Sequence, residues 1–142
     1  MFQGCSSLTT APALPAESLA ERCYANMFSE CEKLSTAPAL PSTTLAPGCY
    51  KKMFSDCSSL TTAPTLPATK LESECYYNMF SYCGNLSSIT CLATDISAPG
   101  CTDNWVESVS GSGTFTKASG MTGWSTGNKG IPSGWPVVDY VP

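Results

Sequence analysis

Residues 27–52 read MFSECEKLSTAPALPSTTLAPGCYKK, and the same order of residue types stands on either side of them. Met-Phe recurs at 1–2, 27–28, 53–54 and 79–80, a fixed spacing of 26. Cysteine follows at 5, 31, 57 and 83, and leucine at 8, 34, 60 and 86. Ala-Pro falls at 11–12, 37–38 and 63–64. A second leucine stands at 14, 40, 66 and 92, and a second cysteine at 23, 49, 75 and 101. A period between about 20 and 50 residues marks an array of stacked units, each unable to bury its apolar side alone.

Within one unit, Leu34-Ser35-Thr36-Ala37 is short, β-permissive and bounded by turn formers, so it predicts a strand. Its equivalents are Leu8–Ala11, Leu60–Ala63 and Leu86–Ile89. Pro38 cannot donate to a ladder, so the strand is expected to pass into extended polyproline-like chain with Leu40 turned inward. On the return leg Leu45, Cys49, Met53 and Cys57 recur every four residues. That spacing predicts a two- to three-turn helix near 47–54, with equivalents near 20–28 and 73–80. Parallel strands joined this way connect right-handedly. The expected fold class is therefore α/β, a right-handed solenoid of short parallel strands and short helices. Its units begin at 1, 27, 53 and 79 and fill residues 1–106.

The fourth unit drifts, with Ile89, Cys91 and Leu92 in place of the Ala-Pro-x-Leu-Pro pattern. Trp105-Val106 lies where a fifth Met-Phe would fall. Residues 107–142 are rich in Gly, Ser and Thr and are expected to form an irregular C-terminal cap over the core. The first unit has no such cover, which predicts an open edge and end-to-end self-association through it. Met1 occupies the Met27 column and is expected to be an in-register core residue, the chain being the C-terminal part of a longer array.

Composition excludes some classes. Only 13% of the 142 residues are charged and the net charge is −4, so there is no basic surface for nucleic acid or anionic lipid. No window reaches the roughly 18 apolar residues of a membrane span, so no membrane insertion is expected. Apolar residues make up 42% of the chain and recur in columns, which argues against disorder.

The unit MF-x-x-C-x-x-L followed by a short strand and a return leg resembles the BspA-type leucine-rich repeat of gut and oral bacterial surface proteins. The match covers residues 1–101 and is carried by MFQGCSSLTTAP, MFSECEKLSTAP and MFSDCSSLTTAP, with a weaker MFSYCGNLSSIT. The tail around Gly130-Ile131-Pro132-Ser133-Gly134-Trp135 looks like C-terminal segments of such proteins. The resemblance implies a leucine-rich-repeat fold, a secreted or cell-surface location, adhesion to a host or microbial protein or glycan, and no catalytic residues. The Ala-Pro-x-Leu-Pro turn departs from the pattern, replacing a run of β-branched residues.

Nine cysteines stand without any histidine and without C-x-x-C. The usual zinc spacings are absent, which leaves only a four-thiolate site as a metal reading. Cys49 and Cys57 would lie about 12 Å apart on a helix, beyond the roughly 7 Å limit for a disulfide. Free buried thiols are the favoured reading over disulfides or metal, and no cofactor or metal is expected. Three sets of residues are candidates for ligand binding. Thr10, Thr36, Thr62 and Ser88 would form an outward hydroxyl row. Tyr24, Tyr50 and Tyr76 would form an aromatic column, and Trp124 and Trp135 would stand in the cap. The plain alternatives are strand formers for the threonines and packing between units for the rings. Asn85-Leu86-Ser87 fits a glycosylation sequon.

No catalytic residue is assigned, since no histidine can act as base and no cysteine has an activating partner. The expected function is a non-enzymatic binding or adhesion module of a bacterial cell-surface protein. The alternatives are a structural spacer or cap fragment of a longer repeat protein, and part of a phage tail receptor-binding protein.

Overall fold

A computed structural model describes residues 2–142, so the expectation for Met1 lies outside the described residues. Among these residues there is no helix, and three short strands form one parallel sheet in the order β1-β2-β3. They are β1 Ser88–Cys91, β2 Thr114–Lys117 and β3 Val137–Asp139. The expected helix-and-strand leucine-rich-repeat solenoid is thus not what forms. Two of the three strands even fall in residues 107–142, where an irregular segment was expected. Of the four strands expected in the units, the first three are reduced to isolated parallel bridges, such as Thr10↔Thr36 and Thr62↔Ser88. Prolines 12, 38 and 64 remove the next donor, so no ladder can lengthen past them.

The helices fail for a reason written in the backbone. The return legs carry a left-handed residue at every fourth position: Arg22, Asn26 and Glu30, then Gly48, Lys52 and Asp56, then Glu74, Asn78 and Tyr82. A right-handed helix cannot pass through such residues. What forms is a chain of overlapping turns, Met27 N–H to Tyr24 O and Cys31 N–H to Phe28 O among them. The intervening amides point out of the unit. Tyr24, Asn26 and Phe28 donate to Cys49, Lys51 and Met53 at 2.9–3.0 Å. Tyr50, Lys52 and Phe54 donate likewise to Cys75, Tyr77 and Met79 at 2.8–3.1 Å. In a helix all these donors would be spent within the segment. The four-residue spacing of Leu45, Cys49, Met53 and Cys57 is real, but it is the period of the turn unit and not the 3.6 of a helix.

Hydrogen bonds of this kind hold successive 26-residue units in register, and matching side chains stack. Phe2, Phe28, Phe54 and Phe80 lie ring on ring with centroids 5.6–5.8 Å apart. Phe28, Phe54 and Phe80 are fully buried, together with Leu34, Leu60 and Leu86. Burying each ring contributes about 1.5–3 kcal/mol, and each offset pair adds about 0.5–1.5 kcal/mol.

The leucine column does not continue as the sequence spacing indicates. Leu66 pairs with Cys91, not Leu92, and Lys70 with Asp95, a spacing of 25. Cys91 is buried and Leu92 only half-buried. The drift of the fourth unit is therefore a one-residue slip, which turns alternate side chains to the opposite face. Trp105 takes the methionine position of a fifth unit, its carbonyl accepting the Phe80 amide at 2.9 Å as Met79 accepts that of Phe54, and its indole Nε1–H donating to Gly130 O. Phe115, Ile131 and Trp135 of the tail pack into the same core.

Candidate binding groove

The candidate residues separate once placed. Thr10, Thr36 and Thr62 are exposed and Ser88 is half-buried within β1. Tyr50 is 2% exposed and Tyr76 fully buried, so neither can form part of a surface platform; only Tyr24 is half-buried. They stack with centroids 6.1 Å apart, and Tyr76 continues onto Trp105 at 5.8 Å. Trp105 in turn stacks on Trp124 at 5.5 Å. Tyr50 and Tyr76 are core elements, each following a buried cysteine, Cys49 and Cys75, whereas Tyr24 follows the exposed Cys23. Trp135 is also buried, its Nε1–H bonded to Ser110 O at 2.8 Å. The Asn85 side chain donates to Ser58 O at 2.7 Å, so the sequon amide ties two units together.

The threonine row is interrupted. The first and second units are bridged at Thr10↔Thr36 and Ser18↔Thr44. The third and fourth are bridged at Thr62↔Ser88, Leu66↔Cys91 and Lys70↔Asp95. Between the second and third no bridge forms on this leg, while on the return leg the outward amides of Phe28, Glu30, Gly48, Tyr50 and Lys52 all reach the third unit. The stack is closed on one side and open on the other at this level. Ser42 holds the second unit toward the first: its hydroxyl lies 2.8 Å from Glu17 O. The equivalent residue of the third unit is Ala68, which has no such group. β1 and its bridges hold the third unit to the fourth.

The opening is a groove of about 470 Å³ between Pro38, Leu40 and Pro41 on one wall and Pro64, Thr65 and Pro67 on the other. It continues into a second recess of about 290 Å³ between Thr36 and Thr62. Ala37 and Pro64 belong to both. No charged side chain lines either part. The amides of Ala37 and Thr61, which the pattern of the other units would pair across this gap, bond to no main-chain carbonyl. The sequence named Thr36 and Thr62 but not the prolines and leucine beside them. In the sequence the third unit differs from the second here at Ala68 for Ser42, Thr65 for Ala39 and Lys70 for Thr44.

All nine cysteines are free. Cys31, Cys57 and Cys83 donate their thiol protons to the carbonyls of Phe2, Phe28 and Phe54 at 2.9–3.1 Å. Burial pushes the Cys49 thiol up to about 11 and those of Cys83 and Cys91 up to about 12. Such thiols are poor nucleophiles at neutral pH. Among the described residues no group of three or more His, Cys, Asp and Glu is arranged to hold a metal ion, and no helix is long and apolar enough to cross a membrane. Comparison with protein-family models, curated proteins and solved structures finds no match to this chain. The resemblance to BspA-type repeats accordingly stands on the residues quoted above.

Proposed function

We propose that the chain is a non-enzymatic binding module of a bacterial cell-surface protein, holding a protein or glycan partner at the groove between its second and third units. The surface location comes from the resemblance. The binding reading is supported above all by the interruption of the bridges between Thr36 and Thr62, which leaves main-chain donors and an uncharged recess open on an otherwise stitched stack. The walls are held by Ser42 on one side and β1 on the other, so the recess is formed before a partner arrives. Preformed sites avoid part of the ordering cost of association.

An array of host proteins and glycans probed with the whole chain tests this reading. Reproducible binding that is lost in the double variant Ala39→Arg with Thr65→Arg, which places two cations in the groove, supports it. Binding that persists in the double variant, or silence of the wild-type chain on the array, counts against it.

A further inference from the structure

Another pocket lies in the tail, remote in sequence from the groove and its recess. Trp124 is the last ring of the column Tyr24–Tyr50–Tyr76–Trp105–Trp124. One indole face is covered by Trp105 at an interplanar angle of 6°. Phe115 meets it edge-on at 5.3 Å and 73°. Among the described residues no third ring and no cation stacks on Trp124. Trp124 also lines a pocket of about 320 Å³, with Lys117, Met121, Thr122, Ile131 and Val137 around it. Lys117 of β2 is paired with Asp139 of the neighbouring β3, and its side chain is only 20% exposed.

We propose that this pocket binds the ring of a neutral sugar. A pyranose presents C–H groups on one face and hydroxyls around its edge. The indole that lines the pocket, fixed by Trp105 and Phe115, suits the C–H face, since an aromatic face is negative and attracts C–H hydrogens. Lys117, held by Asp139 of β3, supplies a donor in the lining, and Thr122 supplies a hydroxyl. Cation and anion cancel, so the pocket offers no net charge to hold an ionic ligand. The remaining lining is apolar, the usual balance of a small-molecule site. This site is independent of the groove, so the failure of either leaves the other standing.

The test is a titration of the whole chain with glucose, galactose and N-acetylglucosamine, followed by tryptophan fluorescence and by amide and methyl NMR shifts. At least one sugar is expected to bind, with shifts confined to Lys117, Met121, Thr122 and Trp124. Trp124→Ala is expected to weaken binding by about tenfold or more, near 1.4 kcal/mol. Two further variants guard against loss of folding. Trp124→Phe keeps the stack and removes no hydrogen bond, because the buried Nε1 has no partner; it is expected to retain most of the affinity. Lys117→Met with Asp139→Asn leaves the core untouched and is expected to weaken binding several-fold. No response to any of the three sugars, shifts elsewhere, or equal affinity in Lys117→Met with Asp139→Asn overturns the proposal.

Discussion

The thiol of Cys57 donates to the main-chain carbonyl of Phe28, 29 residues earlier, at 3.1 Å in a fully buried setting. The same bond joins Cys31 to Phe2 and Cys83 to Phe54. Cysteine here is therefore a small core residue and a clasp between units. Cys57→Ala removes the donor and leaves a void, and is expected to cost about 2 kcal/mol in urea unfolding. The exposed Cys23 serves as control: Cys23→Ala is expected to change stability by less than about 0.5 kcal/mol.

Alkaline pH is expected to loosen the molecule. The Cys49, Cys83 and Cys91 thiols are raised by burial from 9.0 to about 11, 12 and 12. The folded state thus keeps protons that the unfolded chain has released. Their contribution is fully present below pH 9 and is lost as pH rises toward 11–12. Urea midpoints measured under reducing conditions are expected to be level from pH 7 to 8 and to fall above 9. A midpoint that rises between pH 9 and 11 contradicts this.

Left-handed backbone at residues with side chains is a removable cost. Glu30 is exposed, makes no side-chain bond and has φ 62°, whereas the same place in the first unit is taken by Gly4. Glu30→Gly relieves the clash of Cβ with the backbone and is expected to raise stability by about 1 kcal/mol. Thermal unfolding of the single variant checks it.

Gly113 marks the closest approach of the tail to the fourth unit. A methyl group there would press on the main-chain oxygen of Ser87 and lie 2.7 Å from ring carbons of Trp135. Neither can withdraw, since Trp135 is buried and bonded to Ser110. Gly113→Ala is expected to destabilise by about 2 kcal/mol, while Gly111→Ala, which meets open space, is expected to be near neutral.

The 26-residue period was plain in the sequence, and with it the columns of Phe28, Phe54 and Phe80 and of Leu34, Leu60 and Leu86. Local conformation was not. Spacing by four reads as a helix because Arg22, Glu30, Lys52 and Asp56 give no sign of left-handed backbone. A sign was nevertheless present: Gly4, Gly48 and Gly100 and Asn26, Asn78 and Asn104 occupy those same positions in other units, and glycine and asparagine are the residues that adopt φ > 0 most readily. The slip at Cys91 was hidden because Cys and Leu are both plausible core residues. The groove is not legible in the sequence because the units flanking it are nearly alike, and its opening depends on where Ser42 and β1 pull them. The burial of Tyr50 and Tyr76 is not legible either, because tyrosine serves equally well on a surface and in a buried stack.

The outward amides of the return leg all point one way, from each unit to its successor, and are met by carbonyls alone. The pile therefore has a sense, like roof tiles laid from eave to ridge. A duplicated 26-residue segment would slot in between two neighbours, accepting on one side and donating on the other, without alteration to either. Height can then change by copy number alone, while an inverted unit would face amide with amide and find no seat.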